Sequence, residues 1–466
     1  MSRPTKCDRF VAAHVAPPSA QAPTLLDETP LFIRLEREVE EEFRGRMLQS
    51  LKEKIEAVDT AMSGSAPSCE KCDSRHPMKS RGRRKTSFIT RFGKISVRVK
   101  TYRCREKECG HSCRPLMDAL GIEAGRISGM LARLLALLGV VVPYELAARL
   151  AFLFFGVEVS AMSVWRSVQR LGAACEQYSE ELARYHADPR TALEEPAEAP
   201  DAVVLGVDGC ALGMQVRDTR RRRAHPDEEL PPLPEVAEGH FREVKTGVLL
   251  LPSERVSTAA RQSVVRRALV TCLGKADQVF DLLWSKIHAL CWLGPKTVVV
   301  IVGDGAEWIW NRAKMFPNRC EILDFWHAVE KAWEFARLRY GQGSKVGEKW
   351  MSRLSTDLRA GKVEAVIARL RRIKPSCEEE KEKLEGLIRY FDTNKHRMRY
   401  DEYLRMGYGI GSGAVESAHK QVTHARMRQA GMRWSEAGAR RLLALRVLLL
   451  NDNWSMLDRL LMKPIV

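Results

Sequence analysis

Two stretches of this chain end alike. AVVLGVDG carries an apolar run from Ala202 into Asp208-Gly209, and TVVVIVGDG carries another from Thr297 into Asp304-Gly305. Strands buried on both faces of a sheet read as continuous apolar runs, and open α/β sheets bind ligands beyond the carboxyl ends of such strands. The two runs therefore predict an α/β sheet with two carboxylates at its ligand-binding edge. FREVKTGVLLL (241–251) and CEILDFWHA (320–328) are further strand candidates, the second turning into a helix. A single aspartate after a strand is often only a turn or cap residue. Two that converge repel unless a cation lies between them, so Asp208 and Asp304 as a pair point to Mg²⁺ or Mn²⁺. Two such ions about 4 Å apart activate an attacking oxygen and stabilise a leaving one at a phosphodiester. A third carboxylate is usually needed, and GYGIGSGAVESAHKQVTHARMR (407–428) offers Glu416 in a helix start crowded by His419, Lys420, His424, Arg426 and Arg428. Lys420, Arg426, Arg428 and the later Arg433 then read as contacts to a nucleic-acid backbone.

Charge supports that direction. Lys and Arg number 76 against 59 for Asp and Glu, a formal +17, which suits a polyanion: nucleic acid or an anionic membrane surface. No segment approaches the roughly 20 clean apolar residues of a membrane span, since the most apolar region, 131–159, is broken by Arg133, Pro143, Glu145 and Arg149. The N-terminus shows no hydrophobic signal core. Nucleic acid is the expected partner and no membrane is expected.

Cysteines cluster once. Cys69-x2-Cys72 is followed after 31 residues by Cys104-x4-Cys109, with His111 and Cys113 as spare donors. Two thiolate pairs suit a tetrahedral structural Zn²⁺, and the first has zinc-ribbon spacing. The second pair is longer than usual, so the fourth ligand is Cys109, His111 or Cys113. The β-like runs 87–89 and 95–99 would form the ribbon's hairpin. Residues 75–105 hold twelve Lys or Arg and no acid, so Arg83, Arg84 and Lys85 become candidate phosphate contacts, the alternative being a solvated charged face. The remaining cysteines at 175, 210, 272, 291, 320 and 377 read as buried apolar residues.

Between these regions the pattern is helical. Pro143 can open a helix over PYELAARLAFLFFG, and Ser160 is an N-cap for AMSVWRSVQRLG, whose Val164, Val168 and Leu171 repeat on one face. Arg166, Ser167 and Arg170 would point outward. Two helices across a short turn with a basic outer face fit a helix-turn-helix, or equally an ordinary helical hairpin. Residues 1–30 read as a loose arm, 191–201 as a linker, and the charged, proline-rich insert within 217–240 as a mobile loop. Residues 328–400 carry helical pattern and no strand signal.

The order Asp208, Asp304, Glu416, with gaps of 96 and 112 residues, resembles the DDE triad of insertion-sequence transposases with an RNase H-like core. GVDG, GDGAEWIW, ILDFWHA, GIGSGAVES and RMRQAGMRW, in that order, resemble the bacterial ISKra family of the Mutator-like branch. The likeness spans about residues 65–450. It implies a multidomain α+β chain: an arm and helix (1–64), a zinc ribbon (65–117), a helical DNA-binding region (118–195), an RNase H-like α/β core (200–330), an all-helical insertion (331–405) and C-terminal core helices carrying the third acid (406–466). It implies that Asp208, Asp304 and Glu416 bind two Mg²⁺ or Mn²⁺ ions. It places Asp324 and His327 as accessory residues matching an acid-x-x-His pair, although His327 could be a satisfied buried histidine. It further implies a dimer or larger assembly on double-stranded DNA that cuts element ends and joins them to a target, in a cytoplasmic, nucleoid location. An RNase H-like nuclease without joining, or a zinc-ribbon regulator with an unused core, would share most of these features.

Overall fold

A computed structural model describes residues 30–62, 64–72, 76–122, 127–188, 190–191, 196, 198–215, 240–258, 261–264 and 266–462. The expected arm at 1–30 and the charged insert fall almost wholly outside these residues, as does part of the 191–201 linker. The chain forms a mixed α+β structure of two compact units, one of residues 1–128 with 155–157, the other of 129–154 with 158–466.

The first unit opens with helix α1 (Leu31–Met62), which packs on strand β2 (Gly93–Arg103) and helix α2 (Pro115–Ala119). Strand β1 (Lys79–Thr90) pairs antiparallel with β2 across a tight turn, and β3 (Ser112–Cys113) adds to β2. Alternation sets the hairpin's faces: Thr86, Phe88 and Thr90 are buried, whereas Arg83, Arg84 and Lys85 are exposed. Phe88, Ile95, Val97 and Val99 meet Ile55, Leu116 and Met117 in a small core of their own.

In the second unit come α3 (Gly129–Val141), α4 (Tyr144–Phe155) and α5 (Ala161–Ala187). Ser160 caps α5 as its sequence predicts, accepting from the Ser163 N–H at 3.2 Å. Ser167 is a correction: it is 5% exposed, not outward, while Arg166 is exposed and Arg170 half-buried. Helix α5 runs for 27 residues and packs along α3.

The central sheet has five strands in the order β10-β9-β4-β5-β8. These are β4 (Ala202–Gly213), β5 (Phe241–Leu250), β8 (Arg267–Leu273), β9 (Val298–Gly303) and β10 (Arg319–Leu323). β4, β5 and β8 form an antiparallel meander, while β9 and β10 run parallel to β4. A two-stranded hairpin, β6 (Arg255–Thr258) and β7 (Arg261–Val264), sits between β5 and β8. Val203, Leu205, Val300 and Ile301 are fully buried, each contributing about 1.5–3 kcal/mol by leaving water.

Helix α6 (Ala276–Ala289) packs on β5, β8 and α5, and α7 (Glu307–Ala313) follows β9. After β10 the chain is helical: α8 (Phe325–Tyr340), α9 (Lys345–Arg359), α10 (Val363–Leu370), α11 (Glu378–Asn394) and α12 (Tyr400–Arg405), without a strand among the described residues. Then α13 (Gly413–His419) runs through a π turn (Lys420–His424) into the single turn α14 (Ala425–Met427). α15 (Glu436–Leu450) packs on α5 and β8, and α16 (Met456–Met462) ends the described chain. Among the described residues no helix is long and apolar enough to cross a membrane.

Candidate functional site

β4 and β9 lie side by side in parallel, with Gly206 opposite Val302, so Asp208 and the residue after β9, Asp304, reach the same end of the sheet at the same level. Each is tied by its own backbone. Asp208 Oδ1 accepts from the Gly209 N–H at 2.7 Å, and Asp304 Oδ1 accepts from the Ala306 N–H at 3.0 Å. Gly305 has φ +97°, and a Cβ there would stand 2.9 Å from Tyr390 Cε2, so only glycine fits. The Tyr390 hydroxyl donates to the Asp304 carbonyl at 2.8 Å and holds that turn from α11.

Asp208 is half-buried, and burial pushes its carboxyl above the ordinary range; the Gly209 N–H opposes this, and the nearby Asp304 adds to it. Among the described residues no Lys or Arg pairs with Asp208, Asp304 or Glu416. Carboxylates left together without a cation of the protein's own suit a divalent metal.

Glu416 arrives on a helix. Helix α13 packs across β4 and β5, with Val415 over Gly206, and its exposed Glu416 follows directly. The entry to α13 is clamped. Asp324 is the N-cap of α8 and is fully buried; its Oδ1 accepts from the Trp326 N–H at 2.7 Å and its Oδ2 from the N–H and hydroxyl of Ser412. The Phe325 N–H donates to the Ile410 carbonyl at 2.9 Å. A Cβ at Gly411 would approach Trp326 Cδ1 to 2.8 Å, so the indole would have to shift. By these contacts one ligand atom each from Asp324, His327 and Glu416 falls within 4.8 Å of the others. Asp208 and Asp304 lie next to this group rather than in it: His327 acts on the charge of Asp208, as Asp304 does. Asp324 caps α8 and also lies beside His327 where the two meet Glu416.

His419, absent from the expected ligands, is 4% exposed, and its Nε2 is 3.6 Å from Asp208 Oδ2. Its ring lies near-parallel to that of His424 with centroids 6.5 Å apart. Burial, then His424, pushes its pKa down to about 4, so the ring is neutral near pH 7. Its position one turn after Glu416 was the available signal.

The basic residues divide. Lys420, Arg428 and Arg433 are exposed. Arg426 corrects the expectation of a backbone contact: it is 1% exposed, donates to the Gly139 carbonyl at 2.9 Å, and lies between the rings of Tyr144 and Trp434. Cys291 and Cys377 also depart from expectation, being exposed; Cys175 is buried, and Cys210, Cys272 and Cys320 are half-buried.

In the first unit Cys69, Cys72, Cys104 and Cys109 converge at the base of the hairpin. Sγ atoms of Cys69 and Cys109 are 3.7 Å apart, and those of Cys72 and Cys104 are 3.5 Å apart. Tetrahedral zinc with Zn–S bonds of about 2.3 Å spaces its sulfurs by about 3.8 Å, so the four thiols fit that ion. The Lys71 N–H holds the Cys69 thiol down to about 7, which favours the thiolate a metal needs. Cys113 instead faces Met78 Sδ at 3.5 Å, and the backbone carbonyl of His111 accepts from the Cys104 N–H.

Residues 293–455 match an uncharacterised protein family, UPF0236. The match includes Asp304, Asp324, His327 and Glu416; Asp208 and the four clustered cysteines, Cys69, Cys72, Cys104 and Cys109, lie outside it. No curated protein matches the chain.

Proposed function

We propose that this chain is a DDE transposase of the ISKra type, acting on double-stranded DNA through an RNase H-like core. One observation carries the reading. A meander of three antiparallel strands is joined through its first strand to two parallel ones, with Asp208 and Asp304 at the ends of the adjoining parallel strands. The third acid, Glu416, comes from a helix packed over the first strand. That arrangement supports an RNase H-like site, with the helical stretch 331–405 as its insertion. The match to an uncharacterised family is consistent with this and adds no activity of its own.

Asp208, Asp304 and Glu416 would hold two Mg²⁺ or Mn²⁺ ions, with His327 beside Glu416 as a further donor. Bound there, the metals supply an activated oxygen nucleophile and neutralise charge on the leaving oxygen. The protein's own part is placement. Gly305 and Tyr390 fix the Asp304 turn, and Asp324 fixes the entry to α13. Exposed Lys420, Arg428 and Arg433 lie near enough in sequence to grip the phosphodiester backbone as α13 presents Glu416. Arg84 and Lys85, on the zinc-ribbon-like hairpin, add contacts to element ends. Joining two ends to one target requires a dimer or larger complex, and the basic chain fits the nucleoid.

The deciding experiment incubates purified protein with its own element ends and Mg²⁺ or Mn²⁺, beside Asp208→Asn, Asp304→Asn and Glu416→Gln. Metal-dependent joined products, lost in each variant while DNA binding persists, are the expected outcome. Cleavage without joining would indicate a nuclease, and binding without chemistry a regulator.

A further inference from the structure

Buried polar atoms in folded proteins are almost always hydrogen-bonded, and an unpartnered one costs about 1–3 kcal/mol. His419 strains that rule: neither ring nitrogen has a hydrogen-bond partner within 3.5 Å, its nearest polar contacts being Asp208 Oδ2 and the Asp208 backbone, although the side chain is only 5% exposed. A histidine retained for packing alone would be better replaced by an apolar residue of similar volume. The ring is not placed at random, however. It lies one turn beyond Glu416 on α13, its Nε2 stops 3.6 Å from Asp208 Oδ2, and His424 flanks its face. The separation is a few tenths of an ångström beyond a hydrogen bond. The other oxygen, Asp208 Oδ1, is already taken by the Gly209 N–H.

We propose that His419 is a positioning residue for Asp208: its Nε2–H holds Oδ2 while Gly209 holds Oδ1, fixing the carboxylate's direction toward a divalent cation. This rests on the metal-dependent reading above and assigns a role that the three acids do not fill. Catalytic metal sites depend on hydrogen bonds that orient their ligands, and losing one such bond typically costs about 10–100-fold in metal affinity. It also links two elements. Asp208 sits on β4 and His419 on α13, so the contact that aims one acid sets the height at which Glu416 stands. A neutral ring serves, since one N–H is all the role requires.

The test measures Mn²⁺ affinity of the full chain by electron paramagnetic resonance, without DNA, together with the melting temperature. His419→Leu keeps volume and removes the donor. It should melt at or above the wild-type temperature, because two unpartnered nitrogens are gone, yet bind Mn²⁺ about 10–100-fold more weakly. His419→Gln, whose amide nitrogen can reach the Nε2 position, should restore affinity to within a few-fold of wild type. Wild-type affinity in His419→Leu overturns the proposal. If that variant does not fold, His419→Gln decides: near-wild-type affinity supports the role, and lost affinity with an unchanged melting temperature overturns it. Asp208→Asn is measured alongside. If it binds Mn²⁺ like wild type, the metal reading itself falls; if it loses Mn²⁺ while His419→Leu does not, only the positioning role falls.

Discussion

Arg426 shows how much a residue's role depends on partners far away in the chain. Within HARMRQAGMRW it is one base among several and reads as a phosphate ligand. In the fold its guanidinium lies 4.9 Å from the Tyr144 ring and 5.3 Å from the Trp434 ring, with its Nε–H on the last turn of α3. Burial pushes its pKa down, and the guanidinium is held by aromatic faces and a carbonyl where a carboxylate is the usual partner. Arg426→Ala should therefore cost about 3–5 kcal/mol in urea unfolding, from a lost charged hydrogen bond and a cavity, while the salt slope of DNA binding stays unchanged. Exposed Arg428→Ala should do the reverse, leaving stability intact and lowering the slope by about 1. A lowered slope in Arg426→Ala would return that residue to the DNA. Nothing in the local pattern could have separated the two arginines: exposure was decided by Tyr144, far earlier in the chain.

At the scale of elements, the strands that end in acids and the paired cysteines were legible, because each signal is contained in a few adjacent residues. The edge strand β8 was not: RALVTCL follows a basic, polar stretch and has neither a long apolar run nor clean alternation. The π turn was equally hidden. It shifts the helix's hydrogen-bond ladder just after Glu416, and Arg446 takes the carbonyls of Gln421 and Val422 together with that of Val140. The joint between α8 and α13 is also tertiary. Asp324→Asn would turn an amide N–H₂ toward the Ser412 donors, setting donor against donor in a buried place, and should destabilise by about 2–4 kcal/mol. Because that joint carries Glu416 toward His327, Mn²⁺ affinity should fall as well; a variant with wild-type stability would show that the clamp is dispensable. The helical region after β10 has its own tie, Arg339 of α8 to Glu380 of α11. The Ser376 hydroxyl and N–H, with Arg339, hold the Glu380 carboxyl down to about 2 from its ordinary 4.5. A depressed folded-state pKa contributes stability that is fully present above the unfolded value and fades as pH falls toward 2. The stability gap between wild type and Glu380→Gln should thus be constant near pH 7 and shrink between about pH 4.5 and 2; a gap flat across that window would remove the ion pair from the account.

For the whole molecule, the consequence of two units is that each must hold itself together. The sheet unit has a continuous core running from α3 to α16. The first unit has two small clusters, one around Phe88 and Val99, the other little more than Met78, Tyr102 and the cysteines. So small a core is marginal without a staple, and the four thiols supply the place for one. Zinc removal should accordingly act on one unit and spare the other. After chelation, or in Cys72→Ser, amide exchange should accelerate through 76–113, while β4 and β9 keep their protection. DNA affinity should drop through the loss of an ordered Arg84–Lys85 surface, whereas Mn²⁺ binding at Asp208, Asp304 and Glu416 should not change. Loss of protection in both units together would mean that the hairpin supports the sheet; no change in either would mean that the cysteine cluster holds no structural ion. The distinction bears on the proposed function: if one unit recognises DNA and the other cuts it, recognition would be lost while the metal site remains intact.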